Sequence, residues 1–509
     1  MLARLHSVTL DGIEGVICEV EVDVGRGGFE KSIIVGLPDA AVKESTERVR
    51  SAIVNSGYKH PKTASLINLA PADVKKAGPA FDLPIALGML IGQNALDSSI
   101  LRETIIVGEL ALDGRVRPVN GVLSMAMSAA AEGFSRMIVP LDNAREAAVV
   151  QDMEVFGVGS LAQTAGFLSG QLPLETTNVD IDELFNVSAS YDVDFADVKG
   201  QESVKRALTI AAAGGHNIMM IGPPGAGKTM LSQRLATILP PLTLEQSLET
   251  TRVYSSVGLL GKNRALLATR PVRMPHHSAS GPALVGGGSA PRPGELSLAH
   301  FGILFLDEFV EFPRHVLEMI RQPLEDGFVI VSRAKKTVKF PAQFMLVAAM
   351  NPCPCGYFGS DVRRCKCTPG QIRRYFSKVS GPLVDRIDIH IDVPAISFRK
   401  LRSKSGQLDS TAMRADVVRS VGVQAERFGD GKIHTNARMS HKQVEKFCKL
   451  DSSCEMLLKQ AMQEFGLSAR AHDKICKLAR TIADLAGAGE IAAEHIAEAI
   501  SYRKLDRKL

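Results

Sequence analysis

The sequence predicts an α/β protein: a parallel sheet with flanking helices at the centre, an α/β domain before it, and a helical segment after it. Three observations predict this. From about 196 to 395, short apolar runs alternate with helix-like stretches, the pattern of strands joined by crossover helices. A glycine-rich turn joins one of those runs, "NIMMI", to a helix. From about 396 to 509 the apolar residues recur with helical spacing.

The size suits this layout. A chain of 509 residues has room for about three domains at ~150 residues each. It is 45% hydrophobic and 23% charged, so it can bury sizeable cores. No apolar run reaches the roughly 18 residues a membrane helix needs. The opening "MLARLHSVTLDGIEG" lacks the apolar region of a signal peptide. Eight cysteines in so long a chain do not read as a secreted disulfide framework. A soluble, reduced, cytoplasmic protein without a membrane partner is expected. A net charge of +5 is too mild to name a partner. Its distribution says more: residues 146–198 contain no Lys or Arg, whereas Arg363 to Lys378 holds six basic residues and no acid.

The first segment, 1–170, reads as α/β. Val16, Cys18, Val20, Val22 and Val24 alternate with Ile17, Glu19, Glu21 and Asp23, the period of a half-buried strand. "SIIVGLPDAAVKESTERVRSAI" reads as strand, turn and helix, with Asp39 as N-cap. "TIIVGEL" and "RMIVPL" are further strands. An acidic stretch, 171–195, is expected to be a solvated, flexible linker. In the last segment, 396–509, Ser440 and Gln443 have capping-box spacing. Ile475, Leu478, Ala479 and Ile482 share one helix face and predict a small bundle core.

The strongest signal is "GPPGAGKT": Gly222, Pro223, Pro224, Gly225, Ala226, Gly227, Lys228 and Thr229. Between an apolar strand and a helix, such a loop turns backbone N–H groups around phosphates. The helix N-terminus adds partial positive charge there. Lys228 can reach the β and γ phosphates of ATP, and Thr229 can ligate Mg²⁺. A second strand end must help to hold the metal, and "GILFLDEF" supplies Asp307 and Glu308. Asp307 would hold Mg²⁺ through its waters. Glu308 would polarise the attacking water.

With these residues in place, the chain resembles a known family. "DVKGQESVKRAL", "GPPGAGKT", "ILFLDE" and "AAMNPCPCG", in this order, resemble an AAA+ ATPase. "MPHHSAS", "LVGGG", "PGELSLAHFGILFLDEF" and "IRQPLEDG" narrow the resemblance to the magnesium-chelatase-like ATPases called ComM or YifB. The resemblance implies an AAA+ module over 196–395 with a helical lid over 396–509. It makes Asn351 the first sensor, Arg386 an arginine finger reaching a neighbouring subunit, and Arg470 a second sensor on the lid. The alternative for a lone arginine is a surface ion pair. A finger in trans implies a homo-oligomer, in this family usually a hexamer. "FVIVSRAKKTVKF" reads as a hairpin, which the resemblance turns into a pore hairpin whose Arg333, Lys335 and Lys336 suit a nucleic-acid backbone. "ALVGGGSAPRPGE" would be a second pore loop carrying Arg292. His276 and His277 would contact nucleic acid, relay nucleotide state, or be polar groups under that loop. The first domain resembles the fold shared by the Lon protease domain and the RadA C-terminal domain. Ala80 stands where a Lon-type serine would be, so covalent peptide hydrolysis has no nucleophile.

Cys353, Cys355, Cys365 and Cys367 form two Cys-x-Cys pairs. Four thiolates can close a tetrahedral structural zinc site, although the one-residue spacing is tighter than the usual knuckle. Free thiols are the main rival, and a disulfide is disfavoured in a reduced cytosol. The nearby Arg363, Arg364, Lys366, Arg373, Arg374 and Lys378 suit DNA. The resemblance implies an ATP-driven DNA helicase that acts on single-stranded and branched DNA and promotes branch migration in natural transformation. A metal-insertion motor and a non-motor ATP-binding scaffold are the alternatives.

Overall fold

A computed structural model describes residues 2–25, 32–96, 99–187, 191–261, 264–288, 291–333, 336–360, 363–395, 408–429 and 435–503. The chain divides into two compact units. One comprises Met1–Ser188, Thr243–Ala268 and Ala290–Arg292; the other comprises Ala189–Leu242, Thr269–Ser289 and Pro293–Leu509.

The first unit is built on a mixed seven-stranded sheet. Its spatial order is Ser32–Val35, Ser65–Ala70, Glu14–Val24, Leu2–Asp11, Thr104–Ile106, Arg136–Pro140 and Glu154–Val158. Leu2–Asp11 and Glu14–Val24 form an antiparallel hairpin, and Thr104–Ile106 continues the sheet in parallel. The alternation in the second strand does what its period requires: Cys18, Val20, Val22 and Val24 are buried. Asp39 caps the helix Ala40–Asn55 by accepting from Val42 N–H at 2.9 Å. Ala80 is buried in a short turn, Pro79–Phe81.

Two features of this unit depart from the sequence reading. The acidic stretch 171–195 is not simply a solvated linker. It carries a helix, Ile181–Val187. Val179, Ile181, Leu184 and Phe185 pack against a cluster of Leu123, Val149, Ala265 and Leu266. Ile181, Leu184 and Phe185 stand at i, i+3 and i+4, so an apolar stripe lies within the acidic composition. The second departure is the helix Leu244–Ser256. It sits between strands of the ATPase pattern in the sequence but belongs to the first unit. There Ser255 Oγ bonds to the buried Glu146, which also accepts the Leu123 N–H at 2.9 Å.

The second unit contains an all-parallel five-stranded sheet in the order Val272–Arg273, Ile303–Leu306, Met345–Met350, Ile218–Ile221 and Ile389–Asp392. Its central strands are apolar throughout because helices cover both faces. Ile303 to Leu306 are all fully buried. The C-terminal helices join this unit rather than standing apart. Val417, Ile475, Leu478, Ala479 and Ile482 share one core with Val204, Leu208, Ile218 and Leu231. Gln424 Nε2 donates to Ala213 O at 2.9 Å, and His216 Nε2 lies 2.8 Å from Thr481 Oγ1. Ser440 and Gln443 form the expected capping box.

Candidate nucleotide site and four-cysteine loop

Three strands of the parallel sheet end side by side, and the chemistry sits just past their carboxyl ends, where ligands of such sheets bind. Ile221 pairs with Met350, and Leu306 with Ala348. The phosphate loop, Asp307 and Asn351 therefore emerge at one edge. Beyond Ile221 the chain turns into the helix Lys228–Ile238, with Gly225 and Gly227 at φ of 76° and 87°. A side chain would strain that left-handed backbone. The turn presents the helix N-terminus and its free N–H groups, a natural seat for phosphate.

Lys228 is partly buried. Its ammonium donates to Gly222 O at 2.7 Å, Pro223 O at 3.1 Å and Asn351 Oδ1 at 3.3 Å. Burial lowers its pKa, while the Asp307 carboxylate works the other way. Thr229 Oγ1 donates to Asp307 Oδ2 at 2.7 Å. A hydroxyl and a carboxylate so placed fit a magnesium ion, which when bound neutralises charge on the phosphate oxygens.

Glu308 follows Asp307 in a left-handed conformation, φ 50°. Its N–H donates to Asp307 Oδ1 at 2.9 Å. Its carboxylate meets His277, whose Nδ1 lies 2.9 Å from Glu308 Oε2. His277 packs beside His276, with ring centroids 4.1 Å apart, and edge-on to Phe312. Met274, His276, His277, Phe305, Asp307 and Glu308 border a cavity of about 290 Å³. The sequence reading left His277 among three alternatives and did not pair it with Glu308. No local signal carries the pairing: His277 follows Val272–Arg273, and only the structure shows that strand beside Ile303–Leu306.

Arg386 is turned toward its own chain: Nη2 is 2.8 Å from Glu325 Oε1, and Nη1 donates to Pro382 O at 2.6 Å. Its side chain is only 12% exposed. Arg470 is exposed in the first turn of the lid helix Ala469–Leu485. Arg292 is exposed at the start of the short strand Arg292–Pro293. Arg333 and Lys336 pair across the hairpin of Phe328–Arg333 with Lys336–Pro341. Lys335 lies outside the described residues.

Directly after Asn351 the chain forms the cysteine loop. Cys353 is buried and Cys355, Cys365 and Cys367 are half-buried, all as free thiols. The four sulfurs lie within 4.8 Å of one another. Sγ of Cys353 is 3.3 Å from that of Cys355 and 3.7 Å from that of Cys365, and Cys355 and Cys365 are 3.6 Å apart. Four sulfurs at ~2.3 Å from a tetrahedral ion would be about 3.8 Å apart, so this donor set fits a structural metal. Backbone N–H groups of Lys366 and then Tyr357 bring the Cys355 thiol down to about 6. Thr368 and Gln371 then form a capping box that starts the helix Pro369–Phe376. This helix carries Tyr375, whose hydroxyl is pushed up to about 12, chiefly by burial.

A phosphate loop on a central strand, an acidic pair on the next strand but one and an amide on the strand between them define a P-loop ATPase of the AAA+ class. Family profiles extend that class along most of the chain. "Magnesium chelatase, subunit ChlI" matches residues 194–401, "Subunit ChlI of Mg-chelatase" matches 20–143, and "Magnesium chelatase, subunit ChlI C-terminal" matches 407–503. The chain is 44% identical over 513 residues to Competence protein ComM of Haemophilus influenzae, covering 100% of this chain and 98% of that one. It is 41% identical over 512 residues to YifB of Escherichia coli K12, again covering 100% and 98%. The magnesium-chelatase 38 kDa subunit of Rhodobacter capsulatus is 27% identical over 177 residues, covering 31% of this chain and 50% of that one. The chain belongs to the ComM/YifB family of magnesium-chelatase-like AAA+ ATPases.

Proposed function

We propose that this protein is an ATP-driven, ring-forming DNA motor: a cytoplasmic helicase that promotes branch migration when incoming DNA is recombined in natural transformation. The carrying observation is the convergence of Lys228, Thr229, Asp307 and Asn351 at one sheet edge in a chain that matches a competence protein end to end. Lys228 and the loop amides hold the triphosphate of ATP. Thr229 and Asp307 hold Mg²⁺. Glu308 takes the proton of the attacking water. Arg386 of one subunit serves the site of the next in a homo-oligomer, a hexamer on this reading, and Arg470 follows the nucleotide from the lid. Arg292, Arg333, Lys335 and Lys336 track the backbone of single-stranded or branched DNA. The four thiols hold a structural Zn²⁺, because protein sulfurs fill every position and leave none for substrate. Among the described residues no helix is long and apolar enough to cross a membrane.

A metal-insertion motor is the second reading, favoured by the chelatase names of the family profiles. Against it, the chelatase subunit of Rhodobacter capsulatus covers 31% of this chain, whereas the competence protein covers all of it. A scaffold that only binds ATP has no use for Glu308.

Three-strand exchange with wild-type and Lys228→Ala protein tests the DNA motor. The wild type should migrate the branch in an ATP-dependent way and the variant should not. Equal activity from both would reject the reading. Hydrolysis stimulated only by a porphyrin-loaded partner would favour the second.

A further inference from the structure

The cysteine loop does more than follow Asn351: it touches the phosphate loop itself. Gly356, the turn residue between the first cysteine pair and Tyr357, has φ 82°, and its N–H donates to Cys353 O at 2.9 Å. A Cβ at this position would fall 2.6 Å from Pro224 Cδ, 2.9 Å from Pro224 Cγ and 3.9 Å from Asn351 Cγ. The knuckle backbone thus lies close against a phosphate-loop proline, and glycine suits both the conformation and the approach. Asn351, at the start of the same loop, accepts from Lys228 at 3.3 Å.

We propose that ion binding at Cys353, Cys355, Cys365 and Cys367 and nucleotide binding at the phosphate loop are thermodynamically coupled through the seat of Gly356 on Pro224. The inference rests on the metal-site reading above and adds to it a control of nucleotide affinity. An ion held by four sulfurs fixes the backbone from Cys353 to Tyr357. Without it that backbone gains conformational freedom, and Pro224 loses a rigid wall. The phosphate-binding amides then have to be ordered when nucleotide arrives, which weakens binding. Linkage makes the effect reciprocal: nucleotide tightens the ion by the factor by which the ion tightens nucleotide. The expected ligand is a soft divalent cation, zinc foremost. Stripping by a chelator is then a signal that the nucleotide site reads directly.

The test uses the full chain, zinc as the only added metal and a fluorescent ADP analogue. Nucleotide Kd is measured on zinc-loaded protein and on protein stripped by a chelator. Zinc affinity is measured by competition with a chromophoric chelator, with and without saturating ADP. Stripping should weaken nucleotide binding about fivefold or more, the lower range of site-to-site coupling, and ADP should tighten zinc by the same factor. Gly356→Ala keeps all four thiols, so it should retain one zinc per chain yet bind nucleotide more weakly. Gly359→Ala is the matched control, since Gly359 shares the left-handed backbone, φ 72°, but meets nothing within 4 Å. It should bind nucleotide as the wild type does. If stripping unfolds the protein, the two alanine variants decide the matter. One zinc per chain with nucleotide affinity indifferent to both stripping and Gly356→Ala would overturn the coupling and leave the metal site standing. No stoichiometric zinc would overturn the metal site, and the coupling with it.

Discussion

His277 Nδ1 lies 2.9 Å from Glu308 Oε2, so the carboxylate proposed to activate water is held by an imidazole from the neighbouring strand's end. Glu308 is 57% exposed. Two variants separate chemistry from restraint. Glu308→Gln should cut hydrolysis by about 10²–10⁴, the range for a lost general base, with nucleotide still bound. His277→Ala should instead raise hydrolysis measured without DNA and shrink the stimulation DNA gives, because the carboxylate is no longer detained. Steady-state rates with and without single-stranded DNA check this. Identical rates for His277→Ala and wild type in both conditions would show that the pair restrains nothing.

The contact of Thr229 Oγ1 with Asp307 Oδ2 at 2.7 Å predicts where magnesium dependence resides. Asp307→Asn keeps size and hydrogen bonding but removes the charge that attracts a hard divalent cation. Hydrolysis should then need far more magnesium for half-maximal rate, while nucleotide binding in a chelator should match the wild type. A magnesium titration of the two proteins decides it. Superimposed titration curves would remove Asp307 from the metal site.

The lid is pinned to the sheet by a buried ion pair. Lys474 Nζ is 2.7 Å from Asp388 Oδ1, and Asn217 N–H donates to Oδ2 at 3.0 Å. Burial alone would raise the Asp388 pKa, but Lys474 and His216 outweigh it and hold the carboxyl well below its usual range. A depressed folded value means that the stabilisation is complete above the unfolded pKa of about 3.9 and is lost as pH falls below it. Lys474→Met strands the carboxylate and should cost about 3–5 kcal/mol, as broken buried pairs do. Urea midpoints at neutral pH measure that loss. Asp388→Asn should also lower the midpoint at neutral pH, but its midpoint should fall less steeply on acidification than that of the wild type. Parallel acid declines would show that this carboxylate is not the source.

Legibility in the sequence followed the distance between interacting residues. The phosphate loop was legible because its glycines, Lys228 and Thr229 act within one turn and need no partner to be recognised. An acidic residue ending an apolar strand can be an ordinary solvated strand end; Asp307 could be paired with the loop because the phosphate loop upstream calls for such a partner. The pairing of His277 with Glu308 requires knowing which strand lies next to which, and no local pattern carries that. The helix Leu244–Ser256 has an ordinary capping box, and nothing in its own residues says that it packs with the first unit. In the acidic stretch before Phe195 the composition masks the apolar stripe of Ile181, Leu184 and Phe185. The proximity of Gly356 to Pro224 is likewise a meeting of two turns far apart in the chain.

Arg386 faces Glu325 of its own chain at 2.8 Å, yet the proposed mechanism needs it at a neighbour's γ phosphate. The two are reconciled if assembly draws the guanidinium away from Glu325, exchanging one carboxylate partner for a more highly charged phosphate. Such an exchange can be tested without observing the ring. Arg386→Ala should lose about 10³–10⁵ in turnover, the usual worth of a finger, and should still bind nucleotide. Lys228→Ala should be inactive because its own site is empty, although its arginine is intact. Mixed together, the two inactive proteins should hydrolyse ATP, because a Lys228→Ala subunit can lend Arg386 to the sound site of an Arg386→Ala neighbour. The recovered rate should rise with total protein concentration, as assembly does. A mixture as inactive as its components, under conditions where both variants assemble, would mean that Arg386 serves only its own chain and that its pairing with Glu325 is structural.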